Sequence, residues 1–287
     1  MAFTKRPGFA REVTPSSSPD IAQAERVIFT TYGDTVSVFE KGKNLNKFGV
    51  NLTVGTSFET VGEMQGTEVH ETFVSTNLID SVVSSSASDT QTVTIQGHTV
   101  DVSGNLTFVS QTADLSGQTE VPLITPLARA SRMYINASGT FDSPQAVPVG
   151  IISVYDNTDG ETSGVPNTDA STKLLISAGE SQTQKCSTST ASDEYWIITA
   201  IDAGIGNTGG NAARVQIKIE TRDIPNGGVW RPLGRELILV VGQNGVQVDP
   251  IPYLIVPPSH DIRVVARTNS NTASVFAELR GMLASIQ

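Results

Sequence analysis

The residues best equipped for chemistry are few, and their spacing limits what they can do. Gly204-Ile-Gly-Asn-Thr-Gly209 has the glycine spacing of a dinucleotide-binding loop. Such a loop works by seating a pyrophosphate on the N-terminus of the helix that follows it. Here the next segment, Arg214-Val-Gln-Ile-Lys-Ile-Glu220, alternates like a strand, so the glycines are expected to form a β-turn. Asp156-Asn-Thr-Asp-Gly-Glu161 gathers oxygen donors, the ligands calcium prefers. Thr158 and Gly160 break the alternate-position rhythm of an EF-hand, which favours a plain turn. His70, His98 and His260 lie far apart, and no His-x-x-x-His or Cys-x-x-Cys pair occurs, so no metal site is written locally. The single cysteine, Cys186, sits in the polar run Gln182-Thr-Gln-Lys-Cys-Ser-Thr188 without a glycine-rich elbow. It reads as a structural thiol. Paired carboxylates for glycoside cleavage need only proximity in space. Yet aromatics make up 6% of the chain, with two tryptophans, which is sparse for a cleft that stacks rings on sugars. Trp196 lies inside an apolar strand and reads as core, whereas Trp230, in Gly227-Gly-Val-Trp-Arg-Pro232, reads as exposed. Asp156, Asp159, Glu161 and Trp230 are therefore the candidate loop ligand site. No catalytic set, metal site or cofactor is expected.

Composition narrows the partners. The 287 residues are enough to bury a sizeable core without disulfides or metals. A net charge of −10 makes nucleic acid, itself polyanionic, a poor general partner. One cysteine excludes an intramolecular disulfide framework. The opening Met1-Ala-Phe-Thr-Lys-Arg-Pro-Gly-Phe9 lacks the apolar centre of a signal peptide, and no stretch approaches 18 apolar residues. A product of the cytoplasm with no membrane partner is expected.

Three regions position these residues. Residues 1–24 carry Pro7, Gly8, Pro15, Ser16 to Ser18 and Pro19, which disfavour helix and central strand alike, so they read as an extended arm. Its tip is basic and aromatic: Phe3, Lys5, Arg6, Phe9 and Arg11 are the candidate partner-binding residues. Residues 25–127 show short period-two runs such as Thr35–Phe39, Asn51–Val54, Thr92–Gln96 and Leu106–Val109, the mark of a small β-domain. Gln96-Gly97-His98 reads as a hairpin turn within it, and Ser84 to Asp89 as a polar loop. Residues 128–287 contain about eight stronger strand signals separated by Gly, Pro and Asn turns, which predicts an all-β, jelly-roll-like sandwich. Its expected core includes Val215, Ile217, Ile219, Leu237, Leu239, Val264 and Phe276, with Leu237 to Val241 as a central strand. His260, after Pro257-Pro-Ser259, is expected to decorate a turn.

The C-terminal half resembles a domain of virion structural proteins of tailed bacteriophages, many from marine hosts. The likeness rests on Ile151-Ile-Ser-Val-Tyr155 leading into an acidic loop and Thr162-Ser-Gly-Val-Pro166, then on Leu174-Leu-Ile-Ser-Ala-Gly179, Gln182-Thr-Gln-Lys185 and Tyr195-Trp-Ile-Ile-Thr199. It continues in Gly228-Val-Trp-Arg-Pro232 and Ile255-Val-Pro-Pro-Ser-His-Asp-Ile-Arg263, and upstream in Lys47 to Thr60. These are strand and turn patterns, and the resemblance implies no catalytic residues. It implies a non-enzymatic virion component, foremost a decoration or cement protein that bridges capsomers and stabilises the head. Its partners would be the major capsid protein or other virion proteins, and its oligomer a homotrimer. The alternative is a fibre or receptor-binding protein that recognises a host glycan through the acidic loop and Trp230.

Overall fold

Alternation of apolar and polar residues is realised as strands along the whole chain. The structure, a computed structural model, describes residues 10–11, 26–30, 36–62, 64–65, 68–69, 76–136, 147–208, 214–224, 228–234, 236–240, 245–248, 250 and 253–286. Among them there is no α-helix; two short 3-10 turns, Asn157–Asp159 and Asp169–Ser171, interrupt an all-β fold of two sandwiches.

The first sandwich is built from both ends of the chain. Its larger sheet lays Val36–Val54 against Ala273–Ile286, and Ala273–Ile286 against Glu194–Thr208, all antiparallel. Arg26–Thr30 and Ala10–Arg11 extend one side, while Val246–Val248 and Leu254–Val256 both pair with Glu194–Thr208 on the other. The facing sheet centres on His260–Thr268 and Arg214–Asp223. Ser187–Ser189 and Glu59–Thr60 pair with the first of these, Arg231–Pro232 and Leu237–Val240 with the second. Every second residue points between the sheets: Val215, Ile217 and Ile219 meet Trp196, Ile198, Val264, Val275 and Leu279 in one core. Full burial of such a side chain contributes roughly 1.5–3 kcal/mol.

The second sandwich is inserted into the first. The chain leaves after Val61 and returns at Cys186. Between these points, Val121–Leu127, Ile79–Ser84, Ile152–Tyr155 and Thr172–Ile176 form one sheet, and Arg129–Ile135, Thr92–Val100 and Leu106–Asp114 the other. Their core joins Ile79, Val93, Ile95, Leu127, Met133, Ile152, Val154, Leu174 and Ile176. Asp89 anchors its loop: the buried carboxylate accepts from Ser84 Oγ at 2.6 Å and from the amides of Val149 and Gly150 at 2.8 and 2.9 Å.

Several expectations are corrected by this pairing. Strands cross the expected boundary between 127 and 128 in both directions, since Ile152–Tyr155 pairs with Ile79–Ser84 and Ala273–Ile286 with Val36–Val54. Gln96-Gly97-His98 is no turn: Thr92–Val100 runs straight through it. A Cβ on Gly97 would lie 2.0 Å from the Arg129 carbonyl oxygen, so the glycine serves close strand approach. Gly204 and Gly206 likewise lie inside the Glu194–Thr208 strand, not in a turn, and Gly209 lies outside the described residues. Among the described residues Leu237–Val240 pairs only with Arg214–Asp223 and buries Leu239 alone, so it lies as an edge strand there, with Leu237 half-buried. Phe276 is 40% exposed because its neighbours Val275 and Ala277 take the inward positions. Within the expected arm, Ala10–Arg11 folds back onto Arg26–Thr30 as an edge pair. Phe3, Lys5, Arg6, Phe9 and His70 lie outside the described residues.

Candidate functional site

Of the four residues expected to form a ligand site, Asp156, Asp159 and Glu161 share one loop and Trp230 belongs to a different part of the chain. Asp156 caps the Asn157–Asp159 turn, its Oδ1 accepting from the Thr158 amide at 3.0 Å. Glu161 Oε2 accepts from the Gly164 amide at 2.6 Å, and the Asp159 carbonyl accepts from Asn167 Nδ2 at 2.9 Å. The Asp156 and Glu161 side chains thus shape the loop's own backbone, in the inserted sandwich. Trp230 lies on the other sandwich, where the guanidinium groups of Arg222 and Arg263 stack over its ring at 4.8 and 4.1 Å. His260 opens its strand, with Nδ1 2.7 Å from the Pro258 carbonyl oxygen. Cys186 is a buried thiol that donates to the Lys47 carbonyl at 3.3 Å.

The polar residues that do converge lie between the two sandwiches. Asp261, fully buried at the start of His260–Thr268, is held by three donors. Arg129 Nε reaches one carboxylate oxygen at 2.9 Å, Ser189 Oγ reaches the same oxygen at 2.6 Å, and Arg222 Nε reaches the other at 2.8 Å. Arg129 belongs to the inserted sandwich and the other two donors to the outer one, so this carboxylate ties the halves together. His98 packs beside the network with its ring edge-on to Phe108, centroids 5.6 Å apart. Burial pushes the His98 imidazole down to about 4; Asp261 opposes the shift, while Arg129 and Lys47 reinforce it.

Next to this network opens a cleft of about 410 Å³. The outer sandwich supplies Asn44, Lys47, Phe48 and Glu278; the inserted one supplies Gln96, Phe108 and Arg132; the returning link supplies Gln182 and Lys185. The link is stitched to both sides, through Thr183 N to the Met133 carbonyl at 2.9 Å and Cys186 N to the Val61 carbonyl at 2.9 Å. Gly49 permits that crossing, because a Cβ there would sit 2.2 Å from Val61 O and 2.5 Å from the Cys186 nitrogen. Lys47 ends in the cleft wall, its ammonium donating to the Ser131 carbonyl. Burial pushes this lysine down to about 7, Lys185 and Arg132 adding repulsion and Cys186 opposing it.

A stability consequence follows. Between pH 7 and 10.5 the unfolded chain holds a proton on Lys47 that the folded chain does not, so stability rises with pH across that window. His98 acts in the same sense between pH 4 and 6.5, where acidification favours the unfolded chain. Lys47→Met is expected to raise stability at pH 7 and to flatten the alkaline slope, whose ceiling is about 1.4 kcal/mol per pH unit for one group. Urea midpoints at pH 7 and pH 9 measure both effects; an unchanged slope would refute the burial of an ionisable amine here.

Sequence reasoning missed Lys47, Arg129 and Asp261. The local pattern pointed the other way: Phe48, Val50 and Leu52 read as the inward set of their strand, whereas the structure turns Lys47, Gly49 and Asn51 inward. Polar residues on the inward register mark a buried junction rather than a solvated face.

No family model matches the chain, and no curated protein matches it. Among solved structures it is similar to that of infectious bursal disease virus Gt strain, at 12% identity over 89% of this chain and 74% of that one, with a TM-score of 0.20. It is also similar to the infectious bursal disease virus VP2 subviral particle, at 10% identity over 87% and 73% of the two chains and the same TM-score. Superpositions at that score carry no argument about function. What the chain's own strands establish is an all-β fold of two sandwiches joined by a buried ion network.

Proposed function

We propose that the chain is a non-enzymatic structural protein of a bacteriophage particle, a decoration protein that bridges capsomers and stabilises the head. The observation that supports this reading is the pairing of a locked two-sandwich body with large apolar side chains left on its outside. Leu52, Ile124, Val229 and Ile238 are 73, 83, 68 and 54% exposed, and Ile238 lies on an edge strand. Exposed apolar groups and an edge strand are the materials of assembly, by burial and by main-chain pairing respectively. The buried network centred on Asp261 lets such a body transmit load between its halves.

On this reading the partner is the major capsid protein or another virion protein, the oligomer is a homotrimer seated at threefold positions, and Phe3, Lys5, Arg6, Phe9 and Arg11 fasten it to a neighbour. The acidic balance of the chain keeps it off packaged DNA. The test is to delete residues 1–24 and add the variant to particles that lack the protein. The full-length chain is expected to bind in numbers comparable to the major capsid protein, with binding weakened by salt. The folded deletion variant is expected to lose most of its occupancy. Full occupancy by the variant would remove the arm from the reading, and a few copies per particle would remove decoration altogether.

A further inference from the structure

We propose that the cleft between the sandwiches binds an anionic sugar, a uronate or a sugar phosphate, a role separate from attachment to a particle. Three basic side chains, Lys47, Arg132 and Lys185, line this one cleft in a chain of net charge −10, with Glu278 as the single carboxylate among its described lining residues. The basic groups are contributed by three different segments, so the cleft exists only in the assembled fold. Arg132 is held in place by its Nη2 bond to Gln182 Oε1 at 2.8 Å and by stacking 5.0 Å over Tyr134. Lys185 donates to the Lys173 carbonyl at 3.1 Å, and Lys47 to the Ser131 carbonyl. The bonds made by Arg132 and Lys47 use part of each group's donor capacity, since a guanidinium has five N–H donors and an ammonium three.

The remaining lining matches the rest of such a ligand. Asn44, Asn46 and Gln96 offer paired amide donors and acceptors for hydroxyl groups, while Phe48 and Phe108 offer ring faces for the apolar side of a pyranose. The volume of about 410 Å³ falls within the range of small-molecule sites. An anion would also offset the repulsion from Lys185 and Arg132, which adds to the burial that holds Lys47 below its ordinary ionisation range.

The test uses the full chain, with glucuronate, glucose 6-phosphate and glucose as probes in titrations followed by ligand-detected NMR. One or both anionic sugars are expected to bind, and which of them binds identifies the carboxylate or the phosphate as the recognised group. Glucose is expected to bind at least about tenfold more weakly. Arg132→Gln and Lys185→Gln are each expected to weaken the anion by about tenfold, while Lys218→Gln, on the other sheet of the outer sandwich, leaves it unchanged. Arg132 is exposed, so its replacement keeps the fold. Absence of binding to the folded chain up to about 20 mM of either anion would overturn the proposal. So would equal binding of glucose, or equal losses in the Lys218 variant.

Discussion

Asp261→Ala is expected to cost about 3–5 kcal/mol, because it strands a buried guanidinium rather than merely deleting a contact. Arg129 is 5% exposed and faces Asp261 at 2.9 Å, so the substitution takes away the carboxylate with which this buried charge is paired. Arg222, at 2.8 Å on the other oxygen, is 21% exposed and can recover solvent, so most of the cost belongs to Arg129. Ser189 loses its acceptor as well. Urea unfolding followed by circular dichroism measures the loss. Adding Arg129→Met to Asp261→Ala is expected to restore part of it, because the second change removes the orphaned charge. A cost below about 1 kcal/mol for the single variant would mean that the network does not join the sandwiches.

Trp196→Ala is the second large effect, at about 3–5 kcal/mol. Trp196 is fully buried, and its strand places it opposite Val256 on one side and Leu283 on the other. Truncation opens a cavity that strands paired on both sides cannot collapse to fill. The indole Nε1 is itself buried without a hydrogen-bond partner among the described residues, an unsatisfied donor that the native state tolerates. Trp196→Phe removes that donor while keeping an aromatic ring, so its cost is expected to be less than half that of the alanine variant. Equal costs for the two would show that the indole N–H is not a liability.

The two variants also separate what is local from what is global. Trp196 reads as core from its strand alone, since Tyr195-Trp-Ile-Ile-Thr199 is apolar and β-branched. Val215, Ile217, Ile219, Leu239 and Val264 are legible in the same way and are buried. Strand identity and inward register depend on a period of two, which any stretch of sequence displays without reference to its partners. Phe276 shows the limit of reading by size: its register, set by Val275 and Ala277, puts it outside. Leu237–Val240 shows the limit of reading by apolarity, because whether an apolar run is central or an edge depends on how many neighbours flank it.

Local composition and spacing were enough for an all-β chain, a turn at 156–161 and a structural role for Cys186. The insertion of one sandwich into the other came from the fold alone, because strand partners as far apart as Phe39 and Ile286, 247 residues, leave no mark on local composition. The fold also decided the site. Lys47, Arg129 and Asp261 come from three distant strands, and their burial, pairing and altered ionisation arise from a junction that exists only once both sandwiches have closed.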